Sequence, residues 1–424
     1  MKRRSLVVCL SVVLVVAALR AQEPRPTVPG FIAHEWGTFT SMQGADGVGL
    51  EGLQHEEERL PDFVYSRTEV RECPLRKLGY KGLEVPVEKV TRKMETPVIY
   101  FYAPEPMTAR VRVDFVKGLI SQWFPVVDEL GPPELRPEDG PLDLSTVERS
   151  FLEWDIAIDP HAEASKASLP DVAAGDPWAY ARETKAALVS TRPRIAPRRG
   201  PVEDERFLFY RGLGTFDLPL SMTMEAGSKG RLIASGEEDL PEAIAVEMRP
   251  DRGRFLRLGR IEAGKPATVD MDQAEWAEAG TTADRLGETL KEGLVAQGLY
   301  ADEARAMVRT WARSWFRTPG LRVLYFLPRA QVDRILPLRI DPVPESIVRV
   351  LVGRLEVITP EQEEAVAADL IDCAGEDETR RQAALTRLLA LDRFLEPHLR
   401  RAMNRSSDPV LRRSAEQLLE ELSR

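Results

Sequence analysis

One histidine of the chain stands directly beside a carboxylate, in a segment that could support acid–base or metal chemistry. His34 and Glu35 begin the segment HEWGTFT, and the whole sequence contains only four histidines. A zinc protease of the His-Glu-x-x-His type needs a second histidine on the same helical face, and Thr38 occupies that position. In a strand, neighbouring side chains point to opposite faces, so His34 and Glu35 would share a site only if Gly37 marks a bulge. Both are candidate catalytic residues; the competing interpretation is a buried histidine that anchors a strand.

A second candidate site combines one carboxylate with one guanidinium, each at the edge of an aromatic run. Glu95 precedes the apolar segment 98–102, and Arg211 follows the aromatic segment 207–210. Burying either charge alone is costly, so each is exposed or has a partner. The simpler interpretation is an ion pair between Glu95 and Arg211 that braces two strands. The sharper one is a catalytic Glu95 and a ligand site at Arg211, rimmed by aromatic side chains: Tyr100, Tyr102, Tyr210 and Trp123.

Metal and cofactor sites have little support in the sequence. There is no CxxC pair and no cluster of cysteine and histidine, which structural zinc sites require. A set of His34, Asp46 and His55 has suitable ligand chemistry for a divalent ion, but its spacing follows no template. Residues 47–52 match the dinucleotide pattern GxGxxG as text, yet turns with positive φ explain these glycines better. We expect no metal and no cofactor.

Hydrolysis by carboxylates is the enzymatic alternative. The sequence contains neither a GxSxG elbow nor a Ser-x-x-Lys pair, so no nucleophilic serine has a local motif. Glycosidase chemistry needs two carboxyl groups roughly 5–9.5 Å apart, and Glu95 with Glu153 or Asp155 is a pair that a fold would have to assemble. A secreted hydrolase of an extracellular polymer, using carboxylates and His34, therefore stays open.

The first 24 residues have the layout of a secretory signal peptide. Lys2 and two arginines precede an apolar run over residues 6–19, and Ala21 stands before Gln22. The run is shorter than the about 20 residues that a membrane helix needs. We predict a signal peptide over residues 1–21, with an uncleaved anchor as the alternative. The mature protein is then secreted or periplasmic, without a transmembrane span.

The charge of the mature chain restricts its partners. Removing residues 1–21 leaves 54 basic and 68 acidic side chains, a formal charge of −14. Nucleic acid and anionic lipid both require a basic footprint, so we expect no nucleic-acid partner. Cys73 and Cys373 then remain, which excludes a disulfide framework and leaves open a single bridge between them.

Hydrophobic periodicity between residues 22 and 375 predicts a β-rich domain. Val111, Val113 and Phe115 alternate with charged residues, the period of two expected when one sheet face is buried. Several short strands separated by Gly and Asp turns favour an antiparallel, β-sandwich-like core. The fold class is therefore α+β.

Two stretches are predicted to interrupt this β-rich domain. Residues 131–205 are rich in proline and indicate an irregular insertion with one helix over 177–189. Residues 282–318 are helical, and the spacing of Trp311 and Trp315 turns both indoles inward.

The last part of the chain, residues 376–424, is predicted to be an α-helical tail. Similar segments recur at 381–384 and 412–415, and the tail resembles a short run of HEAT-like repeats, which usually bind other proteins. One and a half units are fewer than the three or so that stand alone. The tail is a candidate for binding a protein partner or for capping the sheet domain.

Four segments together resemble a group of secreted bacterial proteins for which no activity is known. They are HEWGTFT at 34–40, METPVIYFY at 94–102, and the less distinctive FLFYRG at 207–212 and VLVGR at 350–354. The match spans about residues 30–370. The resemblance implies export and a shared fold but no reaction.

These observations favour an exported, non-enzymatic protein that binds a partner or belongs to an envelope assembly. The secreted hydrolase is the alternative. The two hypotheses differ in whether His34, Glu95 and Arg211 line one concave pocket, as a ligand site requires.

Overall fold

The computed structural model describes residues 26–56, 59–67, 87–132, 140–162, 168–191, 202–225 and 228–423. The predicted signal peptide and Cys73 lie outside these residues. The described part of the chain forms eight α-helices: α1 Pro177–Ala181, α2 Ala279–Ala296, α3 Ala301–Phe316, α4 Arg329–Ile335, α5 Pro360–Cys373, α6 Glu378–Leu389, α7 Leu395–Arg405 and α8 Pro409–Ser423. The same residues form 21 strands: β1 Thr27–Gln43, β2 Tyr65–Ser66, β3 Val87–Glu88, β4 Arg92–Tyr102, β5 Met107–Val116, β6 Gly118–Phe124, β7 Glu129–Gly131, β8 Leu142–Asp143, β9 Arg149–Asp159, β10 Leu188–Thr191, β11 Asp204–Glu205, β12 Leu208–Gly214, β13 Leu220–Met224, β14 Lys229–Ala234, β15 Leu240–Met248, β16 Arg252–Ile261, β17 Pro266–Asp270, β18 Ala277–Glu278, β19 Gly320–Phe326, β20 Leu338–Asp341 and β21 Val343–Val357.

The largest sheet is mixed rather than purely antiparallel. Within the described residues its strand order is β18-β16-β15-β19-β21-β1-β4-β12-β6-β2. Strand β1 pairs antiparallel with β4 and parallel with β21. The expectation of an antiparallel core was wrong at this pair. Parallel neighbours need a long crossover, and the chain between β1 and β21 supplies one.

Two smaller sheets share a hydrophobic core with one face of the large sheet. In the described residues, one sheet has the order β11-β10-β9-β5-β20 with β7 beside β9, and the other has the order β13-β14-β17. The shared core joins Phe39 of β1 and Ile99 of β4 to Trp154 of β9 and Leu232 of β14. Apolar side chains at alternate positions of each strand build it.

Helices cover the opposite face of the large sheet. Trp36 and Val98 on this face pack in one cluster with Leu290 of α2, Trp315 of α3 and Trp178 of α1. The sheet thus lies between the smaller sheets and a helical layer.

The stretch 131–205 is not the irregular insertion that its prolines predict. It contains β9, an 11-residue strand that pairs with β5 and β10. Leu152, Trp154, Ile156 and Ile158 are all buried, so a period of two was present in the sequence. The predicted helix over 177–189 ends at Ala181, and Leu188 already belongs to β10.

The helical tail begins earlier than the predicted boundary at residue 376. Val366 and Leu370 of α5 pack with Leu388, Leu399 and Leu411 in a core of the tail's own. The tail is therefore a four-helix unit over α5–α8. Helix α5 buries the apolar faces that α6, α7 and α8 alone would leave uncovered.

The tail docks on the sheet domain through polar contacts and one aromatic ring. Glu396 accepts hydrogen bonds from Gln54 at 2.6 Å and from His55 at 2.8 Å. Gly52 lies against Glu396 with φ +97, and a Cβ there would stand 2.8 Å from Glu396 Cγ. Phe394 packs in a small cluster with Leu53 of the sheet domain. This close approach fixes the tail against residues 44–56.

Among the described residues, no helix is both long enough and apolar enough to cross a bilayer.

Candidate functional site

His34 is buried beneath the start of α3. Its Nδ1 lies 2.7 Å from Glu303 Oε2, and the same carboxylate accepts the backbone N–H of Tyr300 at 2.8 Å. Glu303 thereby links β1 to the first turn of α3. The imidazole also contacts the Tyr102 and Tyr300 rings, with centroids 5.5 Å and 4.5 Å away. With 2 % of its surface exposed, His34 has the environment of a structural anchor.

Glu35 points to the other face of the sheet, as alternation in a strand requires. Its Oε2 accepts a hydrogen bond from Arg349 Nε at 2.5 Å, and its Oε1 accepts one from the Tyr210 hydroxyl. All three side chains are buried. Burial raises the pKa of Tyr210, and the neighbouring charge of Glu35 raises it further. The Tyr210 phenol therefore stays protonated and donates its hydrogen to Glu35.

The remaining aromatic candidates do not gather around Arg211. Tyr100 is buried and donates its hydroxyl hydrogen to Ala181 O at 2.7 Å, and Tyr102 donates to Glu303 Oε1 at 2.9 Å. Trp123 stacks on Tyr65 in the core shared with the smaller sheets. The predicted aromatic rim is therefore wrong in its members.

Glu95 and Arg211 do line one cavity, each with its own ionic partner. Arg211 NH1 lies 2.8 Å from Glu56 Oε2, whereas Glu95 Oε1 lies 3.3 Å from Lys93 Nζ and 3.4 Å from Arg393 NH1. The other oxygen of Glu95 accepts the Thr40 hydroxyl at 2.6 Å. Both residues border a cavity of about 60 Å³. The structure thus brings these two candidates together and holds His34 and Glu35 elsewhere.

A layer of buried charges lies at the floor of this cavity. Arg322 Nε lies 2.9 Å and Arg354 Nε 2.5 Å from Glu356 Oε1, and Arg393 NH2 donates to Ser314 Oγ at 3.3 Å. Burial opposes ionisation of Glu356, but the charges of Arg322 and Arg354 outweigh it and lower the pKa. Burial also lowers the pKa of Lys93, and the charge of Glu95 opposes this shift. The tail contributes Arg393 to this layer and so supports the floor.

Aromatic and aliphatic side chains form most of the cavity wall. Strands of the large sheet and the segment 59–61 before β2 provide one side of the wall, whereas α1 and α3 provide the other. The wall includes Val98, Phe207, Phe209, Trp178, Ala181, Trp311, Leu60 and Pro61. An apolar wall with a few convergent polar groups is the usual composition of a small-molecule site.

Two buried N–H groups at this cavity have no hydrogen-bond acceptor among the described residues. They are Arg211 Nε and Trp311 Nε1, on side chains of residues that are 5 % and 6 % exposed. A buried donor without an acceptor costs about 1–3 kcal/mol. Both side chains border the cavity, so the oxygen acceptors of a ligand that reached these N–H groups would remove this cost.

The sequence carried one usable signal for this site that the prediction missed. Phe209 and Arg211 of β12, and Phe207 directly before it, occupy alternate positions and line the same cavity. Trp311 was correctly expected to point inward, but its position opposite Arg211 depends on long-range packing. Arg393 has no local signal, because it approaches Glu95 across 298 residues.

The other expected combinations are dispersed. Glu153 and Asp155 pair with Arg110 on a neighbouring strand of the smaller sheet, at 3.5 Å and 3.3 Å, and not with Glu95. His34, His55 and Asp46 have the separate partners Glu303, Glu396 and Arg401. In the described ranges no three His, Cys, Asp or Glu side chains are placed to hold a metal ion.

Comparisons with known proteins add little. Neither a protein-family model nor a curated protein matches the sequence. Among solved structures, the yeast delta-COP-I mu-homology domain complexed with Dsl1 WxWxV peptide is similar at a TM-score of 0.26 and 8 % identity, covering 79 % of this chain and 99 % of that one. The same yeast domain without the peptide gives a TM-score of 0.25 at 8 % identity, covering 79 % and 100 %. At these scores the likeness supports no conclusion about fold or function.

Proposed function

We propose that this chain is an exported, non-enzymatic binding protein that holds a small acid with an apolar body in the cavity beside Trp311. The pair of unpartnered donors, Arg211 Nε and Trp311 Nε1, carries the proposal. The carboxylate of the ligand would accept from these groups, and its apolar part would contact the aromatic wall.

The contacts of the catalytic candidates support binding over hydrolysis. His34 and Glu35 are buried in separate polar contacts on opposite faces of β1. Glu95 is buried and held by Lys93, Arg393 and Thr40, so its carboxylate oxygens already have partners within the protein. The signal-peptide pattern supports export, and we propose that the protein is secreted or periplasmic. We also propose that its packed sheets form a β-sandwich-like core.

The helical tail has a supporting role in this proposal. Its contacts with Glu95 and with residues 44–56 favour a cap that completes the charged floor. The HEAT-like resemblance and a protein partner on the outer face of the tail remain predictions.

A titration with phenylacetate, followed by displacement of the fluorescent probe anilinonaphthalene sulfonate, tests the site. Trp311→Phe keeps the ring but removes the donor, so we expect phenylacetate to bind roughly tenfold more weakly. Trp315→Phe is the matched control, because Trp315 is buried on the same helix, also has an unpartnered Nε1 and does not line the cavity. Equal affinity in all three proteins, or turnover of polymer substrates that Glu95→Gln abolishes, would overturn the proposal.

A further inference from the structure

An arginine-rich vestibule lies directly outside the cavity. It shares four lining residues with the cavity: Arg59, Asp176, Pro177 and Thr310. The two spaces are therefore adjacent, with the vestibule beside the C-terminal half of α3.

The charge of the vestibule is opposite to that of the whole protein. Four arginines and one aspartate line it: Arg59, Arg309, Arg313, Arg317 and Asp176. The full chain has a formal charge of −10. A local excess of positive charge on an acidic protein concentrates anions at that place.

Three of the vestibule arginines, Arg59, Arg309 and Arg317, remain accessible to a ligand. Arg309 pairs with Glu183 and Arg59 with Asp62, but these side chains are between 43 % and 86 % exposed, and exposed pairs contribute little. Arg317 is exposed and forms no ion pair with any described residue. Exchanging such contacts for those of a ligand therefore costs little.

The spacing of these arginines indicates the length of the ligand. Arg309, Arg313 and Arg317 follow each other at intervals of four residues along and just beyond α3. Eight residues of helix rise about 12 Å. An extended peptide of about four residues spans a similar distance, because each residue adds about 3.3 Å.

We infer that the ligand is an acidic peptide whose apolar terminal residue enters the cavity while its acidic side chains contact the vestibule arginines. This inference rests on the proposed function and names the ligand class of the same site. The carbon-rich wall beside Phe209 and Trp178 suits an aromatic or aliphatic side chain. An acidic sugar chain has the charge but not the apolar group, and each of its buried hydroxyls would need a hydrogen-bond partner.

Three probes distinguish the parts of the site: phenylacetate, the tetrapeptide Asp-Asp-Glu-Phe with a free carboxyl terminus, and trigalacturonate. We expect the tetrapeptide to bind roughly tenfold more tightly than phenylacetate at low ionic strength, and this advantage to disappear in high salt. The double variant Arg313→Gln with Arg317→Gln should remove the advantage and leave phenylacetate binding unchanged. Arg305→Gln is the control, since Arg305 is exposed on the same helix and does not line either space.

The outcomes separate this inference from the proposed function. Phenylacetate binding that depends on Trp311, combined with a tetrapeptide that binds no more tightly, would overturn the peptide inference alone. Trigalacturonate that binds as tightly as the tetrapeptide, with the same dependence on Arg313 and Arg317, would also overturn it in favour of a sugar polymer. Failure of both phenylacetate and the tetrapeptide to bind would overturn both proposals.

Discussion

Glu35 and Arg349 form a salt bridge in the interior although 314 residues separate them. They are directly opposite each other in the parallel pairing of β1 with β21, and neither side chain is exposed. Burial alone would lower the pKa of Arg349, but the charge of Glu35 outweighs it and raises the pKa. This ion pair therefore ties the first strand of the large sheet to its last one in chain order.

We predict that Glu35→Gln destabilises the fold by about 3 kcal/mol, because the buried Arg349 charge loses its buried counterion and keeps only the half-exposed Asp333. Tyr210→Phe removes only one hydrogen bond to Glu35 and should cost about 1 kcal/mol. Urea unfolding measures both values. The prediction fails if the two variants lose the same stability.

His34 should matter for stability and not for ligand binding. His34→Phe removes the hydrogen bond to Glu303 and should lower the free energy of unfolding by about 1–3 kcal/mol. Phenylacetate affinity should not change, since His34 does not line the cavity. His161→Phe is the control, because that side chain is 64 % exposed. A loss of binding at unchanged stability would contradict this assignment.

Glu396 should make the docking of the tail sensitive to acid. Burial opposes its ionisation, but hydrogen bonds from His55 and Gln54 and the charges of His55 and Arg400 lower its pKa from 4.5 to about 2. The folded pKa lies below the unfolded one, so the stabilisation is present above pH 4.5 and is lost as the pH falls towards 2. The difference corresponds to at most about 3 kcal/mol.

Thermal unfolding as a function of pH tests this linkage. The gap in Tm between the native protein and Glu396→Gln should be widest near neutral pH and should narrow in acid. A Tm difference that does not change with pH would show that these contacts do not lower the pKa of Glu396.

Truncation tests the tail. Deleting residues 376–424 uncovers Val366 and Leu370 and removes Arg393, one of the ionic partners of buried Glu95. A loss of about 3–5 kcal/mol for a broken buried pair, at roughly 2–4 °C per kcal/mol, lowers Tm by about 10 °C or causes aggregation. Ile371→Ser changes an exposed side chain of α5 and should leave Tm unchanged. A soluble truncation with unaltered Tm would argue for an independent partner-binding module.

Export is tested in the native host. Mass spectrometry of the protein should find an N-terminus close to Gln22, because the small Ala21 follows the apolar run. An intact Met1 in the envelope fraction would instead show a retained anchor.

Local pattern predicted much of the strand content but little of the site. Val111, Val113 and Phe115 are all buried in β5, as their alternation indicates. Strand β9 has the same alternation and was missed because nearby prolines suggested a loop. The parallel pairing of β1 with β21 and the approach of Arg393 to Glu95 join segments about 300 residues apart. Neither local propensity nor periodicity encodes such contacts.

The central position of β1 has a consequence for how the chain folds as it is made. During synthesis β1 emerges early, whereas residues 343–357, which pair with one of its edges, follow some 300 residues later. Until then a long strand with an unpaired edge is exposed to other chains, a state prone to aggregation. We expect slow, late folding and a need for chaperones that protect the nascent chain before the last strand arrives.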